Sequence, residues 1–128
     1  MSENEPETTP QMLVNTEDLL AAADDDAAGA VWKLQQPHRD LDSNVIALPA
    51  AGRIERHPGP EVDVLIHVLA GTGTLHTAAE DLELRPGGLI WMPKGTRRGF
   101  TAGQSGLRYL TVHRKRQALN LQPPRDSG

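Results

Sequence analysis

Between residues 31 and 113 glycine and proline cut the chain into short apolar runs, and this punctuation constrains the fold more than any other feature. The runs are 31–35 (VWKLQ), 44–48 (NVIAL), 62–70 (VDVLIHVLA), 73–77 (GTLHT), 82–85 (LELR), 88–92 (GLIWM) and 107–113 (LRYLTVH). Each has the length of a strand, and nothing between them is long and periodic enough for a crossover helix. An all-β chain of antiparallel strands, closed as a sandwich or barrel, is the expected class. Ala70-Gly71-Thr72-Gly73 and Arg85-Pro86-Gly87-Gly88 read as hairpin turns. In the 62–70 run Val64, Ile66 and Val68 fall on one face of the strand, and Asp63, Leu65, His67 and Leu69 on the other. No internal repeat is evident.

The chain has 128 residues, one domain of ordinary size. It has no cysteine, which excludes disulfides, thiolate nucleophiles and Cys-based metal sites. A metal would need His and carboxylate ligands. One Phe, one Tyr and two Trp are too few for a stacking platform on single-stranded nucleic acid. No apolar run approaches the ~20 residues of a membrane helix. The opening residues, MSENEPETTP, lack the basic-then-apolar order of a signal peptide, so a cytoplasmic protein is expected.

The net charge of −4 hides a segregation. Residues 1–30 hold 8 of the 17 acids and no Lys or Arg, a charge of −8; residues 31–128 hold 9 acids and all 13 bases, a charge of +4. Three parts follow: an acidic, poorly ordered segment over 1–30, a barrel over 31–116 and a tail over 117–128. Thr16 is placed to cap a short helix from Glu17 to Ala23, with acids in its first turn. The acidic segment is either a solubilising tail or a cover that folds over a basic face of the body.

The stretch VLAGTGTL (68–75) followed by LELRPGGLIWMPKGTRRGF (82–100) resembles the conserved core of the cupin superfamily, small double-stranded β-helix or jelly-roll barrels. The resemblance covers roughly residues 44–113. Gly87, Pro93 and Gly95 stand where the second cupin motif has its glycines and proline, and Arg98 stands where it has a histidine. Aligning the first motif on Gly71 puts Val64 in the glutamate position. His57 then takes either the first histidine position, with Gly59 as the second, or the second, with Glu55 as the first.

In metal-dependent cupins three histidines and a glutamate bind a divalent ion inside the barrel. This chain keeps at most His57 of those four, and Arg98 sets a fixed cation where the ion would sit. No cofactor is therefore expected. The alternative is a rearranged site for Fe, Mn, Ni or Zn built from His57, Asp63 and His67, which needs a one-residue shift of register to turn Asp63 and His67 inward.

Arg98 reads as an exposed loop residue beside Arg97, or as a guanidinium at the barrel mouth suited to a carboxylate or phosphate. If it points inward, it needs an acidic partner such as Asp63 or Glu55, or an anionic ligand. Trp91 reads as core or as a pocket wall. The run His113-Arg114-Lys115-Arg116 reads as a solvated strand end; the negative overall charge and the lack of a recognition helix argue against nucleic acid.

Two functions from different classes follow. One is a module that binds a small anionic ligand through Arg98 and His57, with Asp63 and Trp91 nearby and without the usual cupin metal. The other is a divalent-metal cupin enzyme of oxygenase or isomerase type. The resemblance also implies a homodimer, and the apolar strand at Val31-Trp32 is an edge through which chains could pair.

Overall fold

The structure, a computed structural model, describes residues 9–116. A short helix, α1 (Thr16–Ala22), precedes seven strands: β1 (Gly29–Lys33), β2 (Leu41–Leu48), β3 (Arg53–His57), β4 (Val64–Thr77), β5 (Asp81–Leu84), β6 (Leu89–Met92) and β7 (Arg98–Arg114). The expected tail at 117–128 lies outside the described residues. The helix cap is Asn15 and not Thr16: Asn15 is extended, and its side chain accepts the Asp18 amide at 3.0 Å, while Thr16 is the first helical residue. Glu17 and Asp18 occupy the first turn, and no residue of α1 is buried.

All strand pairs are antiparallel, in the order β1-β2-β7-β4-β5, with β3 added on β7 and β6 on β4. The long pair β4–β7 is the spine, in register from Val64↔His113 to Thr77↔Arg98. Each of these two strands changes partner along its length. The start of β4 pairs with β6 and its end with β5; the start of β7 pairs with β3 and its end with β2. The sheet thereby folds into two facing halves that share β4 and β7.

The structure departs from the sequence reading in three places. The runs 62–70 and 73–77 are not two strands joined by a hairpin; they are one strand, β4. Gly71 (φ 77°) and Gly73 flank bulges in the β4–β7 register, and a Cβ on Gly73 would sit 2.6 Å from the Thr101 carbonyl oxygen. These glycines let two backbones approach closely around a bend, and do not reverse the chain. Likewise β3 and the first half of β7 are not among the expected runs: RIERH buries little, and although Phe100 and Ala102 reach the core, the β7 centre, Gly103-Gln104-Ser105-Gly106, is polar and glycine-rich. At Arg85–Gly88 a turn forms, with the Gly88 amide donating to the Arg85 carbonyl at 3.1 Å, but it is not the expected hairpin: the strands it joins, β5 and β6, each pair with β4 and not with each other.

The core lies between the halves. Val64, Ile66 and Val68 point inward and are at most 3% exposed, so the family register holds. Leu48, Leu75, Leu84, Met92, Leu107 and others complete the cluster. Fully burying each such aliphatic contributes roughly 1.5–3 kcal/mol. The only Phe and the only Tyr stack across this core, Phe100 from one half on Tyr109 from the other, with ring centroids 4.9 Å apart.

Candidate functional site

At one end the facing halves part, leaving a cleft of about 600 Å³. The inward side chains of β2 (Asp42, Asn44, Ile46) form one wall with β1 residues Ala30 and Lys33. The segment His57-Pro58-Gly59-Pro60 after β3 forms another, and His113 and Arg116 close it from the end of β7. The basic run divides: His113, inside β7, and Arg116, beyond its end, line this cleft, whereas Arg114, on the other face of the strand, lines a separate one with Glu61, Asp63 and Lys94. Reading 113–116 only as a solvated edge misses that division. The missed residues Asp42, Asn44 and Lys33 carried no motif, because their role depends on β1 and β2 lying beside β7.

Arg98 begins β7 opposite His57, its register partner on β3. It is 9% exposed, the one buried charged residue among those described. Its guanidinium lies over Gly59, where a Cβ would collide with Nη1 and come within 2.9 Å of Cζ. The loop is held there by the Gly95 amide, which donates to the Pro60 carbonyl at 2.8 Å; Gly95 has φ 78°, so the family glycine makes this turn. Nη1 donates to the Thr96 carbonyl at 3.1 Å, and among the described residues Arg98 has no ion pair. Neither expected acid reaches it. Asp63 accepts the Lys94 amide at 2.9 Å, and Glu55 is 3.4 Å from Arg53 and 81% exposed at the side chain.

Burial pushes the Arg98 pKa below its ordinary value, and the nearby Tyr109 opposes this slightly. Burial pushes the Tyr109 phenol well above its usual range, an effect partly offset by the Arg98 charge. A buried guanidinium thus sits beside a neutral phenol, with no carboxylate paired to it among the described residues.

Two histidines at the cleft each turn Nδ1 to a backbone carbonyl. His57 Nδ1 faces the Glu55 carbonyl at 2.9 Å, and His113 Nδ1 faces the Arg114 carbonyl at 2.8 Å. A carbonyl only accepts, so each Nδ1 carries the proton and each Nε2 is left for another partner. Arg39 is already engaged, with Nε and Nη2 donating to Asp42 Oδ1 at 3.0 and 2.8 Å. Lys33 and Arg116 have no ion pair among the described residues.

The remaining sequence candidates lie elsewhere. Trp91 is neither core nor wall of this cleft: it points out of the sheet opposite Leu65 and is 61% exposed. His67 also points outward, since the aliphatic stripe of β4 holds the inner face, and Asp63 shares its outer side. His57, Asp63 and His67 are therefore not brought together, and no group of three or more His, Asp or Glu that could hold a metal occurs among the described residues. No helix among them is long and apolar enough to cross a membrane.

This architecture recurs in solved structures. A cupin-2 domain protein from Shewanella frigidimarina matches with a TM-score of 0.63 at 14% identity, over 80% of this chain and 95% of that one. The cupin domain of Schizosaccharomyces pombe Cnp3 matches with a TM-score of 0.59 at 16% identity over 66% of this chain, which spans 63% of that one. A conserved Streptococcus pyogenes protein of unknown function is 27% identical, with a TM-score of 0.57 over 67% of this chain and 73% of that one. No curated protein matches the sequence. The antiparallel barrel is a cupin, as its glycines and Pro93 implied. Within that class a model of the AraC-like ligand binding domain matches residues 53–119, more than half of the chain, and the protein belongs to that family.

Proposed function

We propose that this domain binds a small organic anion at the barrel mouth and does so without a metal ion. The observation that carries the reading is Arg98: a buried guanidinium packed behind Gly59 of the cleft wall, itself not among the lining residues, with no acid partner among the described residues. Such a charge is costly unless an anion neutralises it. Lys33 and Arg116 add positive charge at the rim, and the free Nε2 atoms of His57 and His113 suit hydroxyl groups on the same ligand. A hydroxylated carboxylate matches this donor and acceptor pattern. The reading is of binding rather than turnover, in the cytoplasm.

The four family ligand positions do not fit a divalent cation. Val64 is a buried hydrocarbon, Gly59 has no side chain, and the space a side chain would take there holds the Arg98 guanidinium. His57 is a donor; in the other alignment Glu55 joins it, but its side chain is exposed and lies 3.4 Å from Arg53.

Titration calorimetry of the full chain against gluconate, glycolate, acetate and phosphate tests the proposal. Saturable binding of at least one is expected, strongest for the hydroxylated acids. Arg98→Met should weaken it about 10- to 100-fold, the value of a charged hydrogen-bonded contact, while the thermal midpoint holds or rises. Equal binding by Arg98→Met, or no binding of any of the four, overturns the anion site. A stoichiometric metal that survives dialysis and is lost in His57→Ala overturns the metal-free part, and favours a rearranged metal site.

A further inference from the structure

Three polar side chains form a run of hydrogen bonds on the outer face of the barrel. Leu75, Leu84, Phe100 and Ala102 turn into the core, so strand alternation turns His76 of β4, Asp81 of β5 and Thr101 of β7 outward. Asp81 is the register partner of His76 on one side. On the other side the partner is Gly99, which has no side chain, and the imidazole leans across to Thr101, its diagonal neighbour. His76 Nδ1 lies 3.1 Å from Asp81 Oδ1, and Nε2 lies 2.8 Å from Thr101 Oγ1. A carboxylate only accepts, so in the neutral ring Nδ1 carries the proton and Nε2 accepts from the Thr101 hydroxyl. A hydroxyl, a base and a carboxylate that fixes the base's tautomer form the constellation of nucleophilic hydrolysis, which is recognised by geometry and not by order along the chain.

Of the three, Thr101 lines a cleft of about 620 Å³, together with Thr72, Thr74, Glu83 and Arg85. The nucleophile thus faces open space, with its base and the carboxylate outside the lining. This cleft shares no residue with the one at the barrel mouth. Neither Glu83 nor Arg85 has an ion pair among the described residues. Their opposite charges cancel, so the cleft offers no net attraction to an ion. The guanidinium and the two threonine hydroxyls supply donors for negative charge that develops on a carbonyl oxygen.

We propose that Thr101, His76 and Asp81 hydrolyse small neutral esters at this second cleft. Thr101 Oγ1 bonds to the ester carbonyl carbon while its proton passes to His76 Nε2, and the alcohol leaves with that proton as the C–O bond breaks. Water then attacks the acyl-threonine, its proton returning through His76 to Oγ1, and the acid is freed. Ester and water give acid and alcohol, with no other reactant. Asp81 touches neither the substrate nor Thr101; it is a positioning residue that holds the ring.

Hydrolysis of p-nitrophenyl acetate by the full chain, followed by nitrophenolate absorbance, tests this. Saturable turnover is expected, with an acetyl group on Thr101 located by peptide mass spectrometry. Thr101→Val, which keeps the branched shape, and His76→Ala should each lower kcat about 100-fold with unchanged circular dichroism spectra, whereas Thr101→Ser should retain most of it. Asp81→Asn should lower kcat about tenfold or more with KM unchanged, because the ring loses its tautomer and not the substrate its cleft. Turnover that survives Thr101→Val belongs to the imidazole alone and overturns the proposal. Absence of saturable turnover, or acetyl groups found only on lysines, overturns it as well.

Discussion

A methyl group at position 59 would collide with the Arg98 guanidinium and reach within 2.6 Å of the Thr96 carbonyl oxygen. Glycine there is what lets a long cationic side chain lie flat beneath the cleft wall. Gly59→Ala should therefore displace Arg98 and weaken gluconate binding about tenfold or more, since a misplaced bidentate donor loses most of a charged contact; calorimetry against the wild type reads the difference. Tyr109 gives a second residue-scale test. Its folded pKa is raised, so the stability contributed by the neutral phenol is fully present below the ordinary value of 10.0 and is lost as pH rises through the folded value. Urea midpoints should fall from pH 10 upward in the wild type and fall less in Tyr109→Phe. Because the chain has one tyrosine, the ultraviolet absorbance of tyrosinate follows this group alone, and it should not titrate near 10.0 until the protein unfolds. Arg98 itself was legible from the motif, as the residue in a histidine's place. The lack of an acid partner among the described residues was not, because Asp63 and Glu55 are close in sequence to the mouth and still turn to other partners.

Among the elements, β4 and β7 show how glycine serves two purposes that look alike in sequence. Gly87 and Gly71 both have positive φ, 94° and 77°. A Cβ on Gly87 meets nothing within 4 Å, so Gly87→Ala carries only the left-handed backbone penalty of about 1–2 kcal/mol. A Cβ on Gly71 runs into the Gly106 carbonyl of the facing strand, so Gly71→Ala should lose more, about 3 kcal/mol or above, as the β4–β7 spine is forced apart. Equilibrium urea unfolding of the two variants compares them directly; equal losses would mean that the bulge opens at no cost. The β5 and β6 runs and the inward stripe of β4 followed from period-two alternation. The first half of β7 did not, because its apolar alternation is only Phe100 and Ala102, and the rest of it is held by backbone pairing with β3 and β4.

For the molecule as a whole, the charge segregation sets a long-range field. The segment 1–30 carries −8 against +4 on the remainder, and the proposed anion site belongs to the positive part. Removing residues 1–8 deletes Glu3, Glu5 and Glu7 and moves the net charge from −4 to −1. At low salt this should tighten gluconate binding roughly two- to threefold, and at ~1 M salt, where the Debye length is about 3 Å, the difference should vanish. Calorimetry at the two ionic strengths checks it; a difference that persists at high salt would signal direct contact between the segment and the cleft. The expected cover for a basic face is present in one respect, since Asp24 meets Arg108, but it does so through a backbone carbonyl and on the outer surface.

Residue order alone determined the all-β class, the inward Val64–Ile66–Val68 stripe and the turn at Gly87. These are local properties, fixed by alternation, glycine conformational freedom and side-chain chemistry within a few residues. The tertiary structure decided that Gly71 bends a strand instead of ending it, that Trp91 and His67 face outward, that His113 joins His57 at the mouth, and that no acid among the described residues pairs with Arg98. Each of those depends on which strand of the barrel lies opposite, and that pairing is set by contacts between segments far apart along the chain.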